Sequence, residues 1–185
     1  MRIVGGKHKG KALSAPKGKT TRPTSDRARE SVFNVLAHGI DGIEITNARI
    51  ADVFAGTGAL GLEALSRGGI FCIFIESEKN TIATLRQNIA ALGEEASTSI
   101  ISSLAEKAPV PPGGAVDIAF LDAPYGNGLT TPALERLVAN GWFRPGSIAI
   151  IEVGKDEKLE LPTAFNIIKE KISGAAKHVF ARYMA

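Results

Sequence analysis

The chain has 185 residues, 44% of them hydrophobic, enough for one domain with a substantial core. No apolar run approaches the roughly 20 residues of a membrane span, and the start, Met1-Arg2-Ile3-Val4-Gly5-Gly6, lacks the apolar core of a signal peptide. The net charge is only +3, but residues 1–30 hold nine Lys/Arg against two Asp/Glu, a basic arm on a slightly acidic body. Such an arm suits a polyanion or is simply a soluble terminus. The single cysteine, Cys72, sits in the apolar run 71–75, so it forms no internal disulfide. A reducing, cytoplasmic setting is expected.

Residues 1–14 alternate weakly around Gly5-Gly6 and Gly10, with Lys7, His8, Lys9 and Lys11 between, which predicts a short hairpin or loop pair. Pro16, Gly18 and Pro23 then punctuate a basic loop with Lys17, Lys19 and Arg22. Thr24 or Ser25 is placed to cap a helix whose first turn holds Asp26. Ala28, Val32, Val35 and Leu36 follow helical spacing, and Gly39 ends it. The other face shows Arg27 and Arg29, which read either as phosphate contacts or as a solvated face.

The stretch from Arg49 to Leu65 organises the rest. A β-branched and apolar run enters Asp52-Val53-Phe54-Ala55-Gly56-Thr57-Gly58-Ala59-Leu60-Gly61, then leaves as a helical pattern ending at Gly68-Gly69. This predicts strand, tight turn and helix, the opening unit of a doubly wound sheet with its ligand at the strand's carboxyl end. Gly56 and Gly58 let the chain turn sharply and a ligand touch backbone. Gly61 lets helix pack closely on strand. The spacing Gly56-x-Gly58-x-x-Gly61 also fits the dinucleotide fingerprint. Asp52 decides against it, because its carboxylate would repel a pyrophosphate. S-adenosylmethionine (AdoMet), with a sulfonium and an ammonium, would instead be attracted.

The next apolar run, 70–75, ends at Glu76, where an acidic residue accepts the ribose hydroxyls of an adenosine cofactor or caps the following helix. Residues 78–92 form an amphipathic helix on Ile82, Leu85, Ile89 and Leu92, stopped by Gly93. A short strand over 98–101 ends at Ser102-Ser103, placed to hydrogen-bond an adenine or to cap a helix. The strand 116–121 brings Asp122-Ala123-Pro124-Tyr125 to the edge that carries the glycine turn. A helix over 131–140, a strand over 147–153 and a hairpin about Gly174 complete one mostly parallel α/β sheet covered on both faces.

Asp122-Ala123-Pro124-Tyr125 fits methyl transfer to a planar amine. The lone pair of such an amine is delocalised and weakly nucleophilic. Acceptors on its hydrogens, the Asp122 carboxylate and the Ala123 carbonyl, favour pyramidal geometry and stabilise the charge that develops. Pro124 fixes the turn, and Tyr125 offers a flat face to an extruded base. An ordinary Asp-x-Pro turn with a surface tyrosine is the plainer alternative. His8, His38 and His178 are far apart in sequence, Cys72 reads as buried, and no Gly-x-Ser-x-Gly occurs, so neither a metal site nor a serine or cysteine nucleophile is predicted.

These segments together resemble the bacterial family of 16S ribosomal RNA guanine-N2 methyltransferases. The likeness covers the Met-Arg-Ile opening, Gly5-Gly6, the distinctive run from Thr21 through Arg22, Thr24, Arg27 and Arg29 to Glu30, the turn from Asp52 to Gly61, and Glu76. It departs at Ala123, where the family usually has a second proline, and the loop so loses one ring's rigidity. The resemblance implies a Rossmann-like class I methyltransferase fold and AdoMet as donor. It implies a cofactor site of Asp52, Ala55, Gly56, Thr57, Gly58, Gly61 and Glu76, to which the strand-end reading adds Ser102 and Ser103. It also implies a basic extension over residues 1–40 that faces small-subunit RNA through Lys7, Lys9, Lys11, Arg22, Thr24, Arg27 and Arg29, and a catalytic core over 48–185. A cytoplasmic monomer with no membrane partner is expected. Rival readings are a protein glutamine N5-methyltransferase, a nicotinamide oxidoreductase and a non-catalytic RNA-binding module. The basic first 30 residues weigh against the first rival, and Asp52 against the second.

Overall fold

The computed structural model describes residues 1–16 and 26–185. Among these, seven strands form one sheet in the order β3-β2-β1-β4-β5-β7-β6. The strands are β1 (Arg49–Val53), β2 (Phe71–Glu76), β3 (Thr98–Ser102), β4 (Val116–Asp122), β5 (Phe143–Gly154), β6 (Phe165–Ser173) and β7 (Ala176–Tyr183). β1 to β5 run parallel, while β7 lies antiparallel to both β5 and β6. The helices are α1 (Asp26–His38), α2 (Ala59–Ser66), α3 (Lys79–Leu92) and α4 (Thr130–Ala139). The expected alternation of strand and helix with a closing hairpin is the architecture found.

Near-continuous apolar strands such as Phe71–Ile75 need cover on both faces, and the helices supply it. Phe33 and Leu36 of α1, Leu62 of α2 and Leu85 of α3 pack over Phe74, Phe120 and Phe180 on one face. On the other, Leu134 and Leu137 of α4 join Trp142 over Ile73, Leu121 and Ile151. Each such side chain contributes about 1.5–3 kcal/mol by leaving water. Cys72 is a buried free thiol within the first layer, and α3 stops as expected at Gly93, whose φ is 68°.

One strand differs from expectation. β5 begins at Phe143, four residues early, because Val116 pairs with Phe143 before the register shifts to Ile118 with Ile148. Ser147 bridges the irregularity: its hydroxyl donates to the Val116 carbonyl at 2.7 Å and accepts from the Arg144 amide at 3.0 Å. The exposed Arg144-Pro145-Gly146 hid this strand from an apolar pattern. The first 14 residues form the hairpin that was one of two expectations. The Ile3 amide donates to the Lys11 carbonyl at 2.9 Å, and the Leu13 amide to the Met1 carbonyl at 2.9 Å. Ile3 and Leu13 insert into the layer of α1, α2 and α3. The proposed caps Thr24 and Ser25, with Lys17, Lys19 and Arg22, lie outside the described residues.

Candidate active site

Strand order reverses between β1 and β4, and a crevice opens at their carboxyl ends. After β1 the backbone folds back hard. Phe54 adopts φ 62°, a conformation bulky side chains avoid, and Gly58 at φ 82° starts α2. A Cβ on Gly58 would lie 2.4 Å from Leu85 Cδ1, and one on Gly61 would lie 2.5 Å from Cys72 Sγ. Both positions therefore need glycine, and Gly61 does pack helix on strand.

Two carboxylates hold this turn from within. Asp52 accepts from the Gly61 amide at 2.8 Å and is 2% exposed. Burial, reinforced by the charges of Asp122 and Glu76, pushes its carboxyl up to about 8. This corrects the picture of Asp52 as an ionised wall. At neutral pH its charge needs a cation beside it. Glu76 accepts from the Gly56 amide at 2.9 Å with one oxygen, and from the Ser77 and Glu78 amides at 2.8 and 2.9 Å with the other. A carboxylate offers about four acceptor positions, so about one remains for a ligand hydroxyl.

One open cavity of about 810 Å³ borders both halves of the crevice, a size that accommodates a ligand of several hundred daltons. Asp52, Ala55, Gly56, Thr57, Glu76 and Ser103 border one half. Asp122, Ala123, Pro124 and Tyr125 border the other. Gly58, Gly61 and Ser102 are not in its wall: the glycines act from behind, and Ser102 is exposed beside Glu76 in the neighbouring strand. The acidic lining and the exposed backbone of the turn suit a cationic adenosyl compound. The sequence reading missed Glu78 and Glu106, which border the first half, and Glu152 and His178, which border the second. Glu152, half-buried, and His178, buried, lie on neighbouring strands β5 and β7, where no local spacing announces them.

The cations assigned to RNA divide. Lys9, Lys11 and Arg27 are exposed. Lys7 is held 2.7 Å from the Glu94 carboxylate. The turn Gly6–His8 that carries Lys7 sits on Ser66, at the far end of α2 from Ala59 and Leu60 in the cavity wall, about 10 Å away by helix rise. Arg29 contradicts its assignment to a solvated or phosphate-binding face. It is fully buried, donating to Asp26 at 2.8 Å and to the Arg2 carbonyl, with Nε 3.6 Å from Glu63. Glu63, itself buried, also accepts from Arg67 at 2.7 Å and from the Val4 amide at 2.8 Å. Arg29 thus ties α1 and the hairpin to α2. Arg22 and Thr24 lie outside the described residues.

The strand order, the glycine turn and the acidic strand ends define a class I methyltransferase fold. A SAM-dependent methyltransferase of Aquifex aeolicus, 16% identical, shares it at a TM-score of 0.63 over 84% of this chain and 89% of that one. The solved structure of yhhF from Escherichia coli superposes at a TM-score of 0.86 with 30% identity, covering 100% of this chain and 98% of that one. The chain belongs to the family described as "Conserved hypothetical protein 95", whose model matches residues 1–182. It is 34% identical over 175 residues to the ribosomal RNA small subunit methyltransferase D of Escherichia coli (strain K12), covering 94% of this chain and 85% of the relative.

Proposed function

We propose that this chain, by its family an AdoMet-dependent methyltransferase of small-subunit ribosomal RNA, places its methyl group on the exocyclic N2 of a guanine. One observation carries the reading: Asp122 and the glycine turn, at the carboxyl ends of the neighbouring strands β4 and β1, border a single cavity. A donor seated on the turn and an amine seated on Asp122 would therefore meet.

AdoMet supplies an electrophilic methyl on a sulfonium whose departure leaves a neutral thioether. The chain's own work is then binding and orientation. Ala55 to Thr57 and Ser103 line the adenosyl half, and Glu76 keeps the turn in shape while offering its remaining acceptor position to the ribose. Asp52 counters the donor's positive charge from below. Asp122 and the Ala123 carbonyl accept from the two N–H groups of the amine, which turns its lone pair toward the methyl. As the bond forms, Asp122 stabilises the cation and takes the departing proton. Pro124 shapes the turn, and the Tyr125 ring, 40% exposed, offers a stacking face to the extruded base. Lys9, Lys11 and Arg27 are the exposed cations for RNA phosphates, and the enzyme acts as a monomer.

The test is Asp122→Ala assayed with labelled AdoMet and small ribosomal subunits lacking the modification. AdoMet binding should persist and methyl incorporation should fall by at least about a hundredfold. Unchanged incorporation would remove Asp122 from the chemistry.

A further inference from the structure

The acceptor half of the cavity also holds Glu152 and His178, which take no part in the methyl transfer itself. Asp122 of β4 pairs in register with Glu152 of β5, and Glu152 pairs with His178 of β7. Partners in register project to the same face, so the three stand in a row at the top of the sheet. Glu152 accepts from the Tyr125 hydroxyl through Oε1. Its Oε2 lies 3.0 Å from His178 Nε2, and the two side chains are only 12% and 4% exposed. Each carboxylate oxygen therefore has a partner, one on the loop after β4 and one in the sheet.

The consequence concerns Tyr125. The loop after β4 carries Pro124, Tyr125, Gly126, Asn127 and Gly128, all exposed, with φ values of 73° and 61° at the two glycines. Glycines in such a loop give it no stiffness of its own, and Ala123 removes a ring that would add some. The hydroxyl bond to Glu152 fixes the outer end of the ring, and sheet pairing fixes Glu152. A half-buried carboxylate is better fixed with a second partner, which His178 provides.

We propose that Glu152 and His178 are positioning residues: braced by His178, Glu152 holds the Tyr125 ring in the attitude that receives the target base. This rests on the reading of Tyr125 as the base-stacking face. In this clamp the link from Glu152 to the base runs through the Tyr125 hydroxyl.

Steady-state methylation of small subunits by Tyr125→Phe, Glu152→Ala and the double variant tests it, with AdoMet affinity measured alongside by calorimetry. Each single change should lower kcat/KM for RNA about tenfold and leave AdoMet affinity unchanged. The double variant should be no worse than either single one, because both break the same link. Glu152→Gln, which keeps an acceptor for the hydroxyl and a partner for the imidazole, should stay within about threefold of the parent. Multiplying losses in the double variant, or a Tyr125→Phe enzyme equal to the parent, would overturn the proposal. The clamp also has a readout free of substrate. The chain contains two tyrosines, so the ring-carbon resonance next to the Tyr125 hydroxyl is assignable from Tyr125→Phe, and it should shift on Glu152→Ala. A protein that shows this shift yet methylates no RNA would refute the functional reading and leave the clamp standing; an unmoved resonance would refute the clamp.

Discussion

The Glu76 carboxylate accepts from the Gly56 amide at 2.9 Å, so the acidic end of β2 is built into the glycine turn that follows β1. The same side chain takes the amides that open α3. One carboxylate therefore sets the shape of the donor half from two elements at once.

Glu76→Ala should accordingly cost more than one ligand hydrogen bond. It leaves three backbone amides without their acceptor, each worth about 1–3 kcal/mol where water cannot replace it. AdoMet affinity should fall at least about a hundredfold by calorimetry, while Glu76→Gln, which keeps one oxygen, should fall less.

Asp52 makes stability and donor binding depend on pH in opposite directions. Burial and two neighbouring charges push its carboxyl from about 3.8 up to about 8. Between those values the folded protein holds a proton that the unfolded chain has released, so stability falls as pH rises through that window. Asp52→Asn removes the titration. Denaturant melts should show a flatter profile from pH 5 to 8, with the variant more stable than the parent at pH 8. A cationic donor favours the ionised carboxylate, so binding should release a proton. AdoMet affinity should rise with pH between 6 and 8, by at most about tenfold per unit, and Asp52→Asn should abolish that slope.

Arg27 and Arg29 are two residues apart and should behave as different kinds of residue. Arg29→Ala removes a buried cation from Asp26 and Glu63. It should destabilise by about 3–5 kcal/mol, lowering Tm on the order of 10 °C. Arg27→Ala, on the exposed side, should leave Tm unchanged, weaken RNA binding and reduce its salt dependence by about one phosphate contact.

Much of this was legible in the sequence. The strand-turn-helix around Gly56 and Gly58, the stop at Gly93 and the hairpin about Gly174 depend on local backbone demands, which residue type records directly. The placement of Asp122 beside the turn followed from strand alternation, since parallel strands deliver their carboxyl ends to one edge. What escaped depends on contacts across the chain. Arg29 sits at a polar-looking helical position, yet Glu63, 34 residues on, draws it inside. Glu152 and His178 meet only because β7 doubles back against β5. Along the chain His178 stands far from His8 and His38, and nothing local announces its carboxylate partner. Asp52 carries a formal charge by residue type, whereas burial decides whether that charge exists.

The identity of the methylated atom decides the proposed function most directly. Small subunits from a strain lacking the modification, incubated with the protein and isotopically labelled AdoMet, can be digested to nucleosides and resolved by mass spectrometry. The label should appear as N2-methylguanosine from a single nucleotide of 16S ribosomal RNA. Label on another base or another atom of guanine, or none from a protein shown to bind AdoMet, would contradict the account.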